Sequence, residues 1–106
     1  MVVFHKDTSV VNCEPGVTRR VLAYNEKLMM CEIHFEAGAR GDMHAHVHEQ
    51  VSYVKAGEFE FTVAGECTLV KEGDSILIPS GAQHGVLAKT EGVLVDVFSP
   101  MRETFV

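Results

Sequence analysis

Three histidines at alternate positions, His44, His46 and His48, with Gln50 following on the same parity, make residues 44–50 the stretch of the chain richest in chemistry. Successive side chains of an extended strand point to opposite faces, so this spacing predicts all four on one face. Imidazoles and an amide oxygen gathered there are donors for a divalent transition metal ion, since neutral imidazole is its commonest protein ligand. His84, which follows the turn-rich run Pro79-Ser80-Gly81-Ala82-Gln83, is expected to reach the same point from a distant strand. His44, His46, Gln50 and His84 then offer three nitrogens and one oxygen. Such a set leaves positions open for water or substrate, as a working site does and a closed structural one does not. It accepts Zn, Ni, Fe, Mn or Co without choosing among them. His48 is the alternative ligand, ranked lower because one strand rarely wraps a small ion that far.

A second anomaly lies in Val93-Leu94-Val95-Asp96-Val97-Phe98, which is apolar except for one carboxylate. An unpaired buried charge is costly, so Asp96 must face solvent or be partnered inside a polar cavity. Parity groups it with Leu94 and Phe98. If that face lines the interior, Asp96 becomes a candidate for proton transfer. His5 and His34 read differently. Met29, Cys31, Ile33 and Phe35 form an apolar face, which leaves His34 with Glu32 and Glu36 on the polar one. Arg19, Arg20 and Arg40 could also bind anions, but on a small acidic protein exposed arginines are more often surface charges or subunit contacts.

The elements that must position these groups are short strands. Residues 20–24 and 28–36 flank Asn25-Glu26-Lys27, while residues 58–63 and 66–71 flank Ala64-Gly65, a two-residue hairpin signal. Further turns are expected at Glu72-Gly73-Asp74 and Glu91-Gly92. Many short strands with Gly and Pro punctuation, and no convincing helix, predict an all-β sandwich or barrel. No repeat, linker or low-complexity stretch divides residues 1–106, so a single small domain is expected, with residues 1–15 as an extended arm reaching a partner subunit.

Composition narrows the function classes. A chain of 106 residues with 46% hydrophobic content buries one modest core and gains from association, so a homodimer is expected. A net charge of −6 with no basic stripe argues against nucleic acid. It also means that an anionic substrate must be held by local positive charge, from the ion and a few placed arginines. No apolar run is long enough for a membrane span. Three cysteines, Cys13, Cys31 and Cys67, without CxxC spacing suggest reduced thiols and a cytoplasmic location.

The run Gly38-x5-His44-x-His46-x3-Gln50-x6-Gly57 resembles the first motif of the cupins, and Gly73-x5-Pro79-x-Gly81-x2-His84 resembles the second. The resemblance implies the double-stranded β-helix, or jelly-roll barrel, of that family. Gln50 stands where most cupins carry Glu, and Ala88 where many carry Asn. Residues 17–24, 44–54 and 94–103 resemble more narrowly the small cupins of the KdgF family, which show Gln at the fourth ligand position. That likeness implies ligation by His44, His46, Gln50 and His84, catalysis by Asp96 and Arg102, and a pocket lined by Phe98 and Arg102. The implied substrate is a small anionic sugar, the 4,5-unsaturated monouronate released from pectin or alginate, converted to a linear ketouronate by ring opening and tautomerisation. Tyr53 is expected to join Phe98 in flooring the sugar ring. Competing expectations are a dioxygenase, a non-catalytic module binding a sugar or sugar acid, and a structural barrel.

Overall fold

Alternating apolar and polar side chains drive the chain into two antiparallel sheets that face each other across one core. The computed structural model describes all 106 residues. Its strands are β1 (Val11–Asn12), β2 (Val17–Asn25), β3 (Leu28–Phe35), β4 (Arg40–His44), β5 (Glu49–Ala56), β6 (Glu58–Val63), β7 (Glu66–Lys71), β8 (Ser75–Ile78), β9 (His84–Ala88) and β10 (Gly92–Ser99). One sheet runs β1-β2-β3-β10-β5-β8 and the other β4-β9-β6-β7. Helical structure is limited to two 3-10 turns, His5–Asp7 and Glu103–Phe105, and no helix is long and apolar enough to cross a membrane.

The hairpin expected at Ala64-Gly65 joins β6 to β7, with both residues at positive φ, 49° and 83°. That is the geometry of a tight turn whose twist matches its strands. Gly57, between β5 and β6, has φ 87°, and a Cβ there would stand 2.5 Å from the Glu91 carbonyl oxygen. This glycine lets the β5–β6 turn press against the turn leading into β10.

Thirteen buried apolar residues form the core. Phe35 of β3 and Phe59 of β6 meet edge to face across the sheets, with ring centroids 5.2 Å apart. β10 lies between β3 and β5 and sends Leu94, Asp96 and Phe98 inward, as parity predicts. On β5 the inward residues are Gln50, Ser52 and Val54.

The segment ahead of β1 lies against its own chain. Arg20 donates to the Thr8 carbonyl at 2.9 Å, His5 Nε2 lies 2.9 Å from Glu32 Oε1, and β1 pairs with β2.

Candidate metal centre and active-site cavity

The histidine triplet does not ride one strand. β4 ends at His44 in the four-stranded sheet, residues 45–48 cross over, and β5 begins at Glu49 in the six-stranded sheet. The crossover is pinned where Gly81 N–H donates to the His46 carbonyl at 2.8 Å. His84 opens β9 directly opposite His44. The two sheets therefore each contribute to one cluster: His44 and His84 from one, Gln50 from the other, and His46 from the chain between them.

The rings converge. Centroids lie 4.3 Å apart for His44 and His84, 4.9 Å for His46 and His84, and 5.5 Å for His44 and His46. Each Nδ1 sits against a backbone carbonyl: His44 against Asp42 at 2.8 Å, His46 against His48 at 3.1 Å, His84 against Ala82 at 3.0 Å. A carbonyl only accepts, so Nδ1 carries the hydrogen and Nε2 presents its lone pair. His84 Nε2 is buried with no hydrogen-bond partner.

Gln50 completes the set from the opposite wall. Its amide nitrogen donates to Ser52 Oγ at 3.0 Å, and Ser52 donates to Asp96 Oδ1 at 2.6 Å. This relay turns the Gln50 carbonyl oxygen towards the histidines, 3.0 Å from His46 Nε2. Two lone-pair donors then face each other with no hydrogen between them, an arrangement that a shared cation relieves. Burial pushes the His46 imidazolium pKa down to about 4, with the Arg102 charge adding to the effect, and burial lowers that of His84 as well. Neutral imidazoles are the form that binds a metal. The residues present thus fit a divalent transition ion. His48 turns elsewhere: its Nε2 lies 3.6 Å from Glu103 Oε2, and its ring is outside the three-histidine cluster.

A cavity of about 340 Å³ opens beside this cluster. Asp96 lines it from β10, and burial pushes its carboxyl pKa up to about 6 against the pull of hydrogen bonds from Ser52 and Gln50. Phe98 packs edge-on to His46 at 5.9 Å, and Arg102 follows in the loop after β10 with its guanidinium 5.4 Å from the Phe98 centroid.

Tyr53 is not brought to the site. It is 46% exposed on the outer face of the six-stranded sheet, because it lies at an odd offset from inward Gln50. Arg19 is the opposite correction. It lines the cavity rather than the surface, together with Phe105 of the C-terminal 3-10 turn. Ser52 and Phe105 are the site residues that sequence reasoning missed, and Arg19 is one that it ranked as a surface or subunit charge.

The cupin domain family model matches residues 31–98. The Pectin degradation protein KdgF of Dickeya dadantii (strain 3937) is 41% identical over 92 residues, which cover 85% of this chain and 84% of that protein. This chain belongs to the KdgF family of cupins. Solved KdgF from Halomonas sp. superposes on this cupin with a TM-score of 0.94 at 30% identity, covering 100% of this chain and 98% of that one. An RmlC-like cupin from Shewanella frigidimarina NCIMB 400 superposes with a TM-score of 0.95 at 42% identity, covering 99% and 95%.

Proposed function

We propose that this KdgF-family cupin converts 4,5-unsaturated monouronates, from pectin or alginate breakdown, to linear ketouronates. The observation that carries the reading is Asp96, a buried carboxylate on the cavity wall, tied through Ser52 to the amide that faces the three histidines. A pure binding module has no need of a titratable group held there. The KdgF relative's role in pectin degradation supports the same chemistry.

An unsaturated uronate is a cyclic enol ether with a hemiacetal at C1. Loss of the C1 hydroxyl proton breaks the bond between C1 and the ring oxygen. C1 becomes an aldehyde, and the ring oxygen becomes an enolate at C5. A proton added at C4 then gives the ketone, so substrate and product are isomers. Asp96 takes the proton from the C1 hydroxyl and returns it at C4, the two-way transfer open to a buried carboxylate on the cavity wall. Ser52 holds its carboxyl in place through Oδ1. Arg102 binds the substrate carboxylate, for which a planar fork is matched. Phe98 supplies an apolar floor for the ring.

His44, His46, Gln50 and His84 would hold one divalent ion. When bound, it polarises substrate oxygens and supplies positive charge. Four neutral donors leave that charge undiminished, and here Gln50 serves better than a carboxylate for attracting an anion.

Mixing the metal-loaded protein with unsaturated uronate and following the ultraviolet absorbance of its double bond tests the reading. Accelerated loss is expected, reduced by about a hundredfold or more in Asp96→Asn with metal content unchanged. No acceleration over the spontaneous reaction removes the proposal.

The same reading includes a homodimer. Met30, Val97, Val51 and Leu77 stand side by side across β3, β10, β5 and β8 on the outer face, an apolar row that a second copy would cover. A reducing cytoplasm suits the free thiols of Cys13, Cys31 and Cys67.

A further inference from the structure

Two arginines meet at the cavity, and neither has a carboxylate partner. Arg19 shares the inward row of β2 with Val17 and Val21 and stands opposite Ile33 of β3. Its Nε is buried without a hydrogen-bond partner. Its guanidinium carbon lies 3.7 Å from the Phe105 ring centroid, and that of Arg102 lies 4.6 Å from the same centroid. The ion pairs of the fold join histidines and lysines to Glu32, Glu60 and Glu103, and none includes an arginine.

Arginine stays charged wherever it is placed, so these are two neighbouring cations without an ion-pair contact, although Glu14, Asp42 and Asp96 line the same cavity. Their mutual repulsion is visible: burial first, and the Arg19 charge second, hold the Arg102 pKa below its ordinary value. Stacking on Phe105 offsets part of the cost, as a guanidinium over an aromatic face does. An entering anion would remove the rest. Asp96 acts on Arg102 only through space, since no Asp96 oxygen lies within ion-pair distance of either arginine and its Oδ1 is taken by Ser52.

We propose that Arg19 and Arg102 together clasp the carboxylate of the substrate, with Phe105 as the platform that holds both guanidiniums at the cavity. The inference rests on the uronate reading and deepens it. One carboxylate has two oxygens, and two forks can each engage one of them. Arg19 is then the residue that makes the cavity select sugar acids over neutral sugars, while the reacting end of the ring is left to Asp96 and the metal donors.

The test uses the metal-loaded protein with galacturonate and galactose as probes for calorimetry, and the unsaturated uronate for kinetics. In Arg19→Gln, galacturonate affinity should fall about ten- to hundredfold, the effect of losing a charge-assisted contact, while galactose binding stays unchanged. KM should rise by a similar factor with kcat within about threefold, the pattern of a lost positioning contact rather than a lost chemical step. Without ligand the variant should melt no lower than the parent, since the group removed is a cation without an ion-pair partner whose Nε is buried and unbonded; a purely structural arginine would lower the melting temperature and leave binding intact. Parental galacturonate affinity and KM in Arg19→Gln overturn the clasp. If Arg19→Gln does not fold, Arg19→Lys decides: keeping the charge without the fork, it should weaken galacturonate binding severalfold, and parental affinity again overturns the proposal. A parent that binds galacturonate yet leaves the unsaturated sugar unconverted sinks the enzyme reading and leaves the clasp standing.

Discussion

Ser52 is a small residue with a large consequence. Its hydroxyl accepts from Gln50 and donates to Asp96, so one oxygen orients a proposed metal donor and fixes the proposed proton carrier. Ser52→Ala should release the Gln50 amide and leave Asp96 buried without its closest donor. Partners that orient ligands are worth about ten- to hundredfold in metal affinity or activity, and a loss of that size is expected here. Metal content after dialysis and the initial rate measure the two effects separately; parental values for both would show that the relay is dispensable. Parity along β10 was enough to bring Asp96 and Phe98 inward. The same rule, applied to Gln50, places Tyr53 outward, and applied to Val17 and Val21 it turns Arg19 inward. In both cases residue type weighed more than offset and gave the wrong face. Ser52 was not legible in that way, because its role depends on standing opposite Asp96, a register set by strands 44 residues apart.

At the scale of one element, β3 shows how a polar group can be buried on the outside of a sheet. Glu32 is only 5% exposed although it points away from the core. His5, His34 and Lys55 cover it, with contacts of 2.9, 3.0 and 3.3 Å. Burial alone would raise its pKa, but the hydrogen bonds from His34, His5 and Lys55 overrule it and hold the carboxyl at about 2, against an ordinary 4.5. A carboxyl whose folded-state pKa is depressed contributes stability that is complete above its unfolded pKa and is lost as pH falls to the folded one. The protein should therefore lose this contribution between pH 4.5 and about 2. Glu32→Gln lacks it throughout, so urea midpoints of parent and variant should differ at pH 7 and converge towards pH 2. A difference that stays constant over that range would refute the assignment. The crossover of residues 45–48 belongs to this scale too. Alternating histidines suggested a continuous strand, but β4 and β5 lie in different sheets, and it is the bend between them that lets His46 face His84.

At the scale of the whole molecule, strands and turns were readable because their signals are local: the 58–63 and 66–71 pair with its Ala64-Gly65 turn appears as expected. The insertion of β10 between β3 and β5 was not, since sheet order rests on contacts far apart in sequence. The outer face of that sheet leaves Val51 and Leu77 exposed by 44% and 66%, where a buried monomer core would not place them. Leu77→Glu on this face should convert the proposed dimer to monomers in sedimentation velocity while the fold persists, because the side chain packs against nothing within the chain's own core. A parent that already sediments as a monomer at tens of micromolar would dispose of the dimer.

The proposed metal donors lie between positions 44 and 84, Asp96 and Arg102 follow them together in the C-terminal flank, and Arg19 comes from the N-terminal one. On the proposed reading, Arg19 is the one recognition group encoded apart from both the ion's donors and the proton carrier. Exchange of the N-terminal segment among sibling barrels would then redirect which acid is admitted without rewiring the ion or the proton carrier, a route by which a lineage of such catalysts would diversify in small, viable increments.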